Sequence, residues 1–226
     1  MLRKLGNKRR AAISQRFFKT GPGEYGEGDI FLGITVPELR KLAKEYQAIA
    51  LAEVAQILRS TIHEERLLAL LILIRAYARG DARFKEKIYN LYLKNTRYIN
   101  NWDLVDTSAE HIVGAFLMDK GKKPLYALVQ SSDLWERRIA IMATFHFIKG
   151  GQFTETLKIA RMLLSDKEDL IHKAVGWMLR EVGKRLLQAE EQFLKAHYKK
   201  MPRTMLRYAI ERFPEAKRQR YLKSQV

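Results

Sequence analysis

The sequence predicts an all-α protein built as an α-solenoid. Three observations predict it. Apolar residues recur at helical spacing through almost the whole chain, and no stretch alternates as a strand does. Four of the five prolines (Pro37, Pro124, Pro202 and Pro214) stand where a helix would begin, the position that best tolerates a missing N–H. Related helical segments also return at a fixed interval along the chain.

Residues 1–33 read as a basic segment followed by a Gly-rich loop, "KTGPGEYGEGD" from Lys19 to Asp29. Helical periodicity then covers 36–46, 50–59, 63–79, 84–93, 102–118, 122–129, 134–148, 153–164, 170–183, 188–197, 203–213 and 214–223. Asp133, with Glu136 three residues on, resembles a capping box opening the 134–148 helix.

"ERLLALLIL", "ERRIAIMAT", "IHKAVGWML" and "MLRYAIERF" each carry a basic residue ahead of an apolar run: Arg66, Arg138, Lys173 and Arg207. The separations are 72, 35 and 34 residues, the first being twice 36. A two-helix unit of that length lies near the lower edge of the HEAT range. The chain is therefore expected to form one domain over 1–226, with HEAT-like repeats from 34 to 226 and a basic concave surface lined by the second helices. The missing repeat should put its basic residue near position 102. "NNWDLVDTSAEHIVGAF" stands there instead, with Trp102, Asp103 and Asp106 and no Lys or Arg from Tyr98 to Met118.

Composition narrows the partner. The 226 residues carry 42 Lys plus Arg against 25 Asp plus Glu, a formal charge of +17, which suits a polyanion. There is no Cys, so disulfide and thiolate chemistry are excluded. "MLRKLGNKRRAAISQRF" has no apolar core and does not read as a signal peptide, and the run Leu67–Ile74 is too short to span a bilayer. The chain reads as soluble, cytoplasmic and monomeric, with no membrane partner. The histidines at 63, 111, 146, 172 and 197 lack metal-ligand spacing, and the Gly-rich loop lacks the GK[ST] of a phosphate loop, so no metal or cofactor is expected.

Asp103 falls in the first turn of its helix, with Asn100 or Asn101 as cap, where an acid is favoured by the helix dipole alone. Asp106 lies past that turn and shares a face with Trp102, while Leu104, Val105, Ser108 and Ile112 take the buried side. A carboxylate set in a cationic column repels phosphate, so it points to a positive charge to be met there. Trp177 falls on the side of its helix that carries Lys173, Arg180, Glu181 and Lys184, which suits stacking on a ligand, whereas Trp135 is expected to pack on the preceding helix. Arg138, Lys173 and Arg207 fit phosphate contacts or a solvated face. The Gly-rich loop is either a connector or a flap carrying Tyr25.

"YGEGDIFLGITVPELRKLAKEY", "NWDLVDTSA", "LWERRIAI" and "HKAVGWMLREVGK" together resemble the alkylpurine DNA glycosylase (AlkD-type) family of HEAT-like-repeat proteins over nearly the whole chain. The resemblance implies that Asp106 is catalytic, that Trp102 and Trp177 line the lesion, and that Arg138 and Arg180 grip the DNA backbone there. It implies an N-terminal aromatic at the same site, for which Tyr25 is the candidate. The implied reaction is hydrolysis of the N-glycosidic bond of alkylated purines in double-stranded DNA, leaving an abasic site. Asp106 would stabilise positive charge developing on the deoxyribose. Each indole face would add about 0.5–2 kcal/mol of cation–π attraction. No His falls on the helical face of Asp106, so the leaving base should bring its own activation, as cationic N3- and N7-alkylpurines do. The neutral bases uracil, hypoxanthine and 8-oxoguanine are then expected to stay in place. A non-catalytic binder of duplex or structured nucleic acid would share the charge and the repeats, but would leave Asp106 without a purpose.

Overall fold

The computed structural model describes residues 2–226. Its helices, in chain order, begin with α1 (Lys8–Phe17), α2 (Val36–Glu45), α3 (Leu51–Leu58), α4 (His63–Arg79) and α5 (Ala82–Lys94). They continue with α6 (Trp102–Ala109), α7 (Ala115–Leu117), α8 (Lys123–Val129), α9 (Leu134–Lys149) and α10 (Thr154–Met162). The last four are α11 (Asp169–Gly183), α12 (Leu187–His197), α13 (Arg203–Ala209) and α14 (Glu215–Leu222). Among the described residues the only β-type pairing is an isolated bridge between Ile30 and Ile62. The all-α expectation holds. The chain divides into two units, residues 1–116 and 117–226.

In the first unit α4 is the central helix, with α2, α3 and α6 packed against it. Leu67 to Leu73 are buried without interruption, because neighbours cover the helix on several sides. Fully burying such a side chain contributes about 1.5–3 kcal/mol, so Leu70 and Leu73, at 0% exposure, anchor this core. In the second unit α11 has the same role, contacting α9, α10, α12 and α13. Here α9, α11 and α13 begin at Leu134, Asp169 and Arg203, 35 and then 34 residues apart, which is the repeat in three dimensions. Gly176 lets α13 approach: a Cβ there would sit 2.4 Å from the Met205 carbonyl oxygen. No helix among the described residues is long and apolar enough to cross a membrane.

Local chemistry sets the boundaries. Pro37 and Pro124 take the second positions of α2 and α8, and Pro202 and Pro214 immediately precede α13 and α14. The Asp133 carboxylate accepts the Trp135 N–H at 2.7 Å. A complete capping box joins Thr35 and Glu38 at the head of α2. Helix α1 does not appear in the sequence reading. It is basic, buries no residue and lacks an apolar stripe, and it is started by Asn7, which accepts the Arg10 N–H at 3.0 Å.

The basic column needs correction. Arg66 is 4% exposed and donates 2.6 Å to Asp29 and 3.3 Å to the Ser60 carbonyl. Arg137 and His172 reach back to the Ser131 and Asp166 carbonyls, again six residues earlier. The structural column is thus Arg66, Arg137 and His172, each tying a second helix to the turn before it. Carbonyls in these turns lack helical donors, and a long cationic or imidazole side chain supplies one. Arg66 is therefore a buried clamp, not part of a ligand-facing row.

Candidate functional site

Asn101 starts α6 by accepting the Trp102 N–H at 2.8 Å. Leu104, Val105, Ser108 and Ile112 are buried, as the periodicity required, and this turns Asp106 outward to a half-buried position. Asp106 lines a cavity of about 470 Å³ with Arg40 and Ala43 of α2, Leu71, Ile74 and Arg75 of α4, and Thr107 and His111. Arg75 donates to the Gln47 amide oxygen at 3.0 Å, and its buried Nε has no hydrogen-bond partner. Behind the carboxylate, the Tyr92 hydroxyl lies 2.9 Å from Ser108 Oγ, which donates to the Leu104 carbonyl. Burial raises the Tyr92 pKa, the Ser108 bond opposes that rise, and the nearby charge of Asp106 adds to it.

Trp102 is half-buried under α1. Its ring stacks on Phe18 at 5.1 Å and meets the edge of Phe17 at 5.9 Å. Phe18 stacks in turn on Phe31, and Phe31 on His63. The Tyr25 hydroxyl donates to the Phe17 carbonyl at 3.5 Å. Phe17 and Phe18 therefore meet the indole through their rings, and sequence reasoning had singled out neither.

Asp103 is more than a first-turn acid. One oxygen accepts the Leu104 N–H at 2.9 Å and the other lies 2.8 Å from His63 Nε2. His63 Nδ1 lies 3.0 Å from Asp29, which also takes bonds from Arg66 and Asn101. Burial alone would lower the His63 pKa, but the hydrogen bonds it donates to Asp103 and Asp29 outweigh it and the net shift is upward. Burial would likewise raise the Asp29 pKa, yet His63 and Arg66 hold it down. Beside this chain, the Glu64 carboxylate accepts the N–H groups of Leu32, Gly33 and Ile34. Gly33 has φ +77°, and a Cβ there would lie 2.4 Å from the Asn7 carbonyl oxygen. These bonds fasten the Gly-rich loop to α4 and to the head of α6.

In the second unit Trp177 is half-buried, with its Nε1 donating to Glu181 at 3.3 Å and its ring 6.0 Å from Phe145. Trp135 is buried, 7% exposed. Arg138 is 4% exposed and donates to the Leu170 carbonyl of α11. Arg180 is paired with Glu211. Lys173 pairs with Asp169 at 2.8 Å while staying 40% exposed, and Arg207 is exposed. Among the described residues no group of three or more His, Cys, Asp or Glu is placed to hold a metal ion.

The model of a family described as "DNA alkylation repair enzyme" matches residues 1–213. The chain belongs to the DNA alkylation repair enzyme family. Among solved structures, one titled a predicted DNA alkylation repair enzyme, from Enterococcus faecalis, superposes with a TM-score of 0.71 at 18% identity, covering 93% of this chain and 97% of that one. AlkD2 from Streptococcus mutans gives 0.56 at 18% identity, and smu.31 from Streptococcus mutans UA159 gives 0.55 at 17%, each covering 92% of this chain and 99% of the other. At these identities the likeness is one of fold. No curated protein matches the chain.

Within this family member, the signals that escaped the sequence reading are Arg40, Arg75 and His111 around Asp106. Arg40 and Arg75 come from helices distant in sequence, so only packing brings them to the carboxylate. A turn of π-helix, Glu110–Gly114, follows α6 directly and contains His111.

Proposed function

We propose that the protein is a monofunctional DNA glycosylase that hydrolyses the N-glycosidic bond of cationic N3- and N7-alkylated purines in duplex DNA and leaves an abasic site. The observation that carries this reading is the half-buried carboxylate of Asp106 in a cavity flanked by the guanidinium groups of Arg40 and Arg75. A lone carboxylate would repel a phosphodiester. Two guanidinium groups beside it hold phosphates and leave the carboxylate for the sugar.

In this mechanism the C1′–N bond breaks with its electron pair passing to the base. A cationic base leaves as a neutral molecule and needs no proton. Asp106 stabilises the positive charge on the sugar and takes a proton from the water that attacks C1′. Trp102, one turn from Asp106 on α6, acts as an apolar, π-rich surface for the cation. Exposed Arg207 and half-buried Lys173 serve the sequence-independent part of duplex binding.

The decisive experiment incubates the pure protein with methylated duplex DNA and identifies the released bases. Release of 3-methyladenine and 7-methylguanine is expected, with release lost in Asp106→Asn. Duplex binding without release would assign the protein to the non-catalytic nucleic-acid binders.

A further inference from the structure

Helix α1, KRRAAISQRF, carries Lys8, Arg9, Arg10 and Arg16 and no carboxylate, and it buries no residue. Apolar burial therefore does not hold it in place, and so short a helix is marginal in water by itself. It is held at its ends and along its inner side. The Asn7 N–H donates to the Leu32 carbonyl at 2.8 Å, and Ala11 lies against Gly33. Arg10 pairs with Glu38 at 3.8 Å, and Phe18, just past the last turn, stacks on Trp102. The outer side has no such partners to account for it. At about 100° per residue, Arg9, Ile13, Arg16 and Phe17 fall within an arc of about 100°, and all four are exposed. Ile13 is 56% exposed and Phe17 is 64% exposed, the two highest values for a large apolar side chain among the described residues. Phe17 meets the edge of Trp102 at 5.9 Å, so this face ends beside the turn of α6 that precedes Asp106.

We propose that the Arg9–Ile13–Arg16 face of α1 is a duplex-binding surface that lies along one DNA strand, with the two guanidinium groups on phosphates and Ile13 against the sugars between them. The proposal rests on DNA as the partner, which the glycosylase reading requires. Spacing supports it. Arg9 and Arg16 are seven residues apart, about 10.5 Å along the helix axis, and three nucleotides of one strand rise about 10 Å. Guanidinium groups also match phosphate through paired N–H donors. The placement of charge argues against a lipid surface. A helix that lies on an anionic membrane separates its apolar and cationic residues onto opposite faces. On α1 they share one face, so the partner must offer anionic and apolar surface in alternation, as phosphate and deoxyribose do along a strand. The bonds at Asn7 and the Trp102 stack hold the face in position before DNA arrives, which spares the cost of ordering it on binding.

The test titrates a fluorescent duplex containing 7-methylguanine between about 50 and 200 mM salt and follows base release in single turnover. Combining Arg9→Gln with Arg16→Gln should lower the slope of log affinity against log salt by about two. The protein concentration that gives half-maximal release should rise, while the maximal rate stays within about threefold. Ile13→Ser should weaken binding and leave the slope unchanged, because no charge is lost. A control pair on α5, Arg83→Gln with Lys87→Gln, removes the same charge from exposed positions elsewhere in the first unit and should change the slope by less than one. Melting temperatures should match wild type throughout, since α1 buries nothing. An unchanged slope in the α1 variant overturns the proposal alone, as does an equal fall in the control pair or a lowered melting temperature. Loss of binding to phosphatidylglycerol vesicles with duplex binding intact would assign the face to a membrane instead. If wild-type protein binds no duplex, the glycosylase reading fails and this proposal falls with it.

Discussion

Replacing His63 tests whether the Asp29–His63–Asp103 chain fastens the N-terminal segment to the helix that carries Asp106. The imidazole sits between two carboxylates, at 3.0 Å and 2.8 Å, and its side chain is 2% exposed. Removing one partner of a buried ionic network costs about 3–5 kcal/mol because charge is left unmatched. Two features hold this case to the lower end. Asp29 keeps Arg66 at 2.6 Å and Asn101 at 3.3 Å, and Asp103, 16% exposed, can turn to water. His63→Ala should therefore cost about 3 kcal/mol, or roughly 6–12 °C in a chain of this length. Asp103→Asn, which keeps a hydrogen-bonding group, should cost about 1–2 kcal/mol. Urea unfolding followed by circular dichroism measures both. The pH dependence gives an independent check. The His63 pKa is raised in the folded state, so its contribution is complete below the ordinary histidine value. It is lost as pH rises through the higher folded value. Wild-type stability should fall on that alkaline side, and His63→Ala should lack that component. A loss below about 1 kcal/mol, or an unchanged pH slope in the variant, would refute the reasoning.

Asp106→Asn should reduce base release by about 10²–10³-fold while duplex binding is unchanged or tighter, because a negative charge leaves a cationic site. Single-turnover rates decide, and an equal loss in Asp103→Asn would overturn the assignment of Asp106. Lys173→Ala and Arg207→Ala should each lower the salt slope of duplex binding by about one. Arg138→Ala should instead cost about 1–3 kcal/mol of stability, since the Leu170 carbonyl loses a buried donor, and paired melting and salt-titration series separate the two outcomes. Glu190 is 2% exposed and burial pushes its pKa up to about 8, with Glu191 adding to the rise. Its folded form binds the extra proton, so stability falls as pH rises from the ordinary carboxylate range towards 8. Glu190→Gln should remove that fall and gain on the order of 1–3 kcal/mol at pH 7, and denaturation midpoints at pH 5 and pH 8 that shift equally in both proteins would contradict it.

The sequence by itself determined the helical class, the repeat length and the orientation of α6. All three follow from side-chain spacing along one chain: periodicity marks the buried face, proline marks helix starts, and Leu104, Val105, Ser108 and Ile112 turn Asp106 outward. It did not reveal α1, which buries nothing and so carries no apolar stripe. Nor could it separate a basic residue that faces a ligand from one that clamps a turn, since both recur at the repeat period. Burial is what distinguishes Arg66, at 4% exposure, from exposed Arg207. The surroundings of the two aspartates were decided by tertiary structure alone. His63 reaches Asp103 from 40 positions away in the chain and is itself held by Asp29, 34 positions before it, and Arg40 and Arg75 reach the Asp106 cavity from α2 and α4. His111 lines the same cavity and lies within a π turn, a backbone irregularity with no signature in residue spacing. Local pattern records which face a side chain takes, whereas its partners depend on which other helices pack against that face.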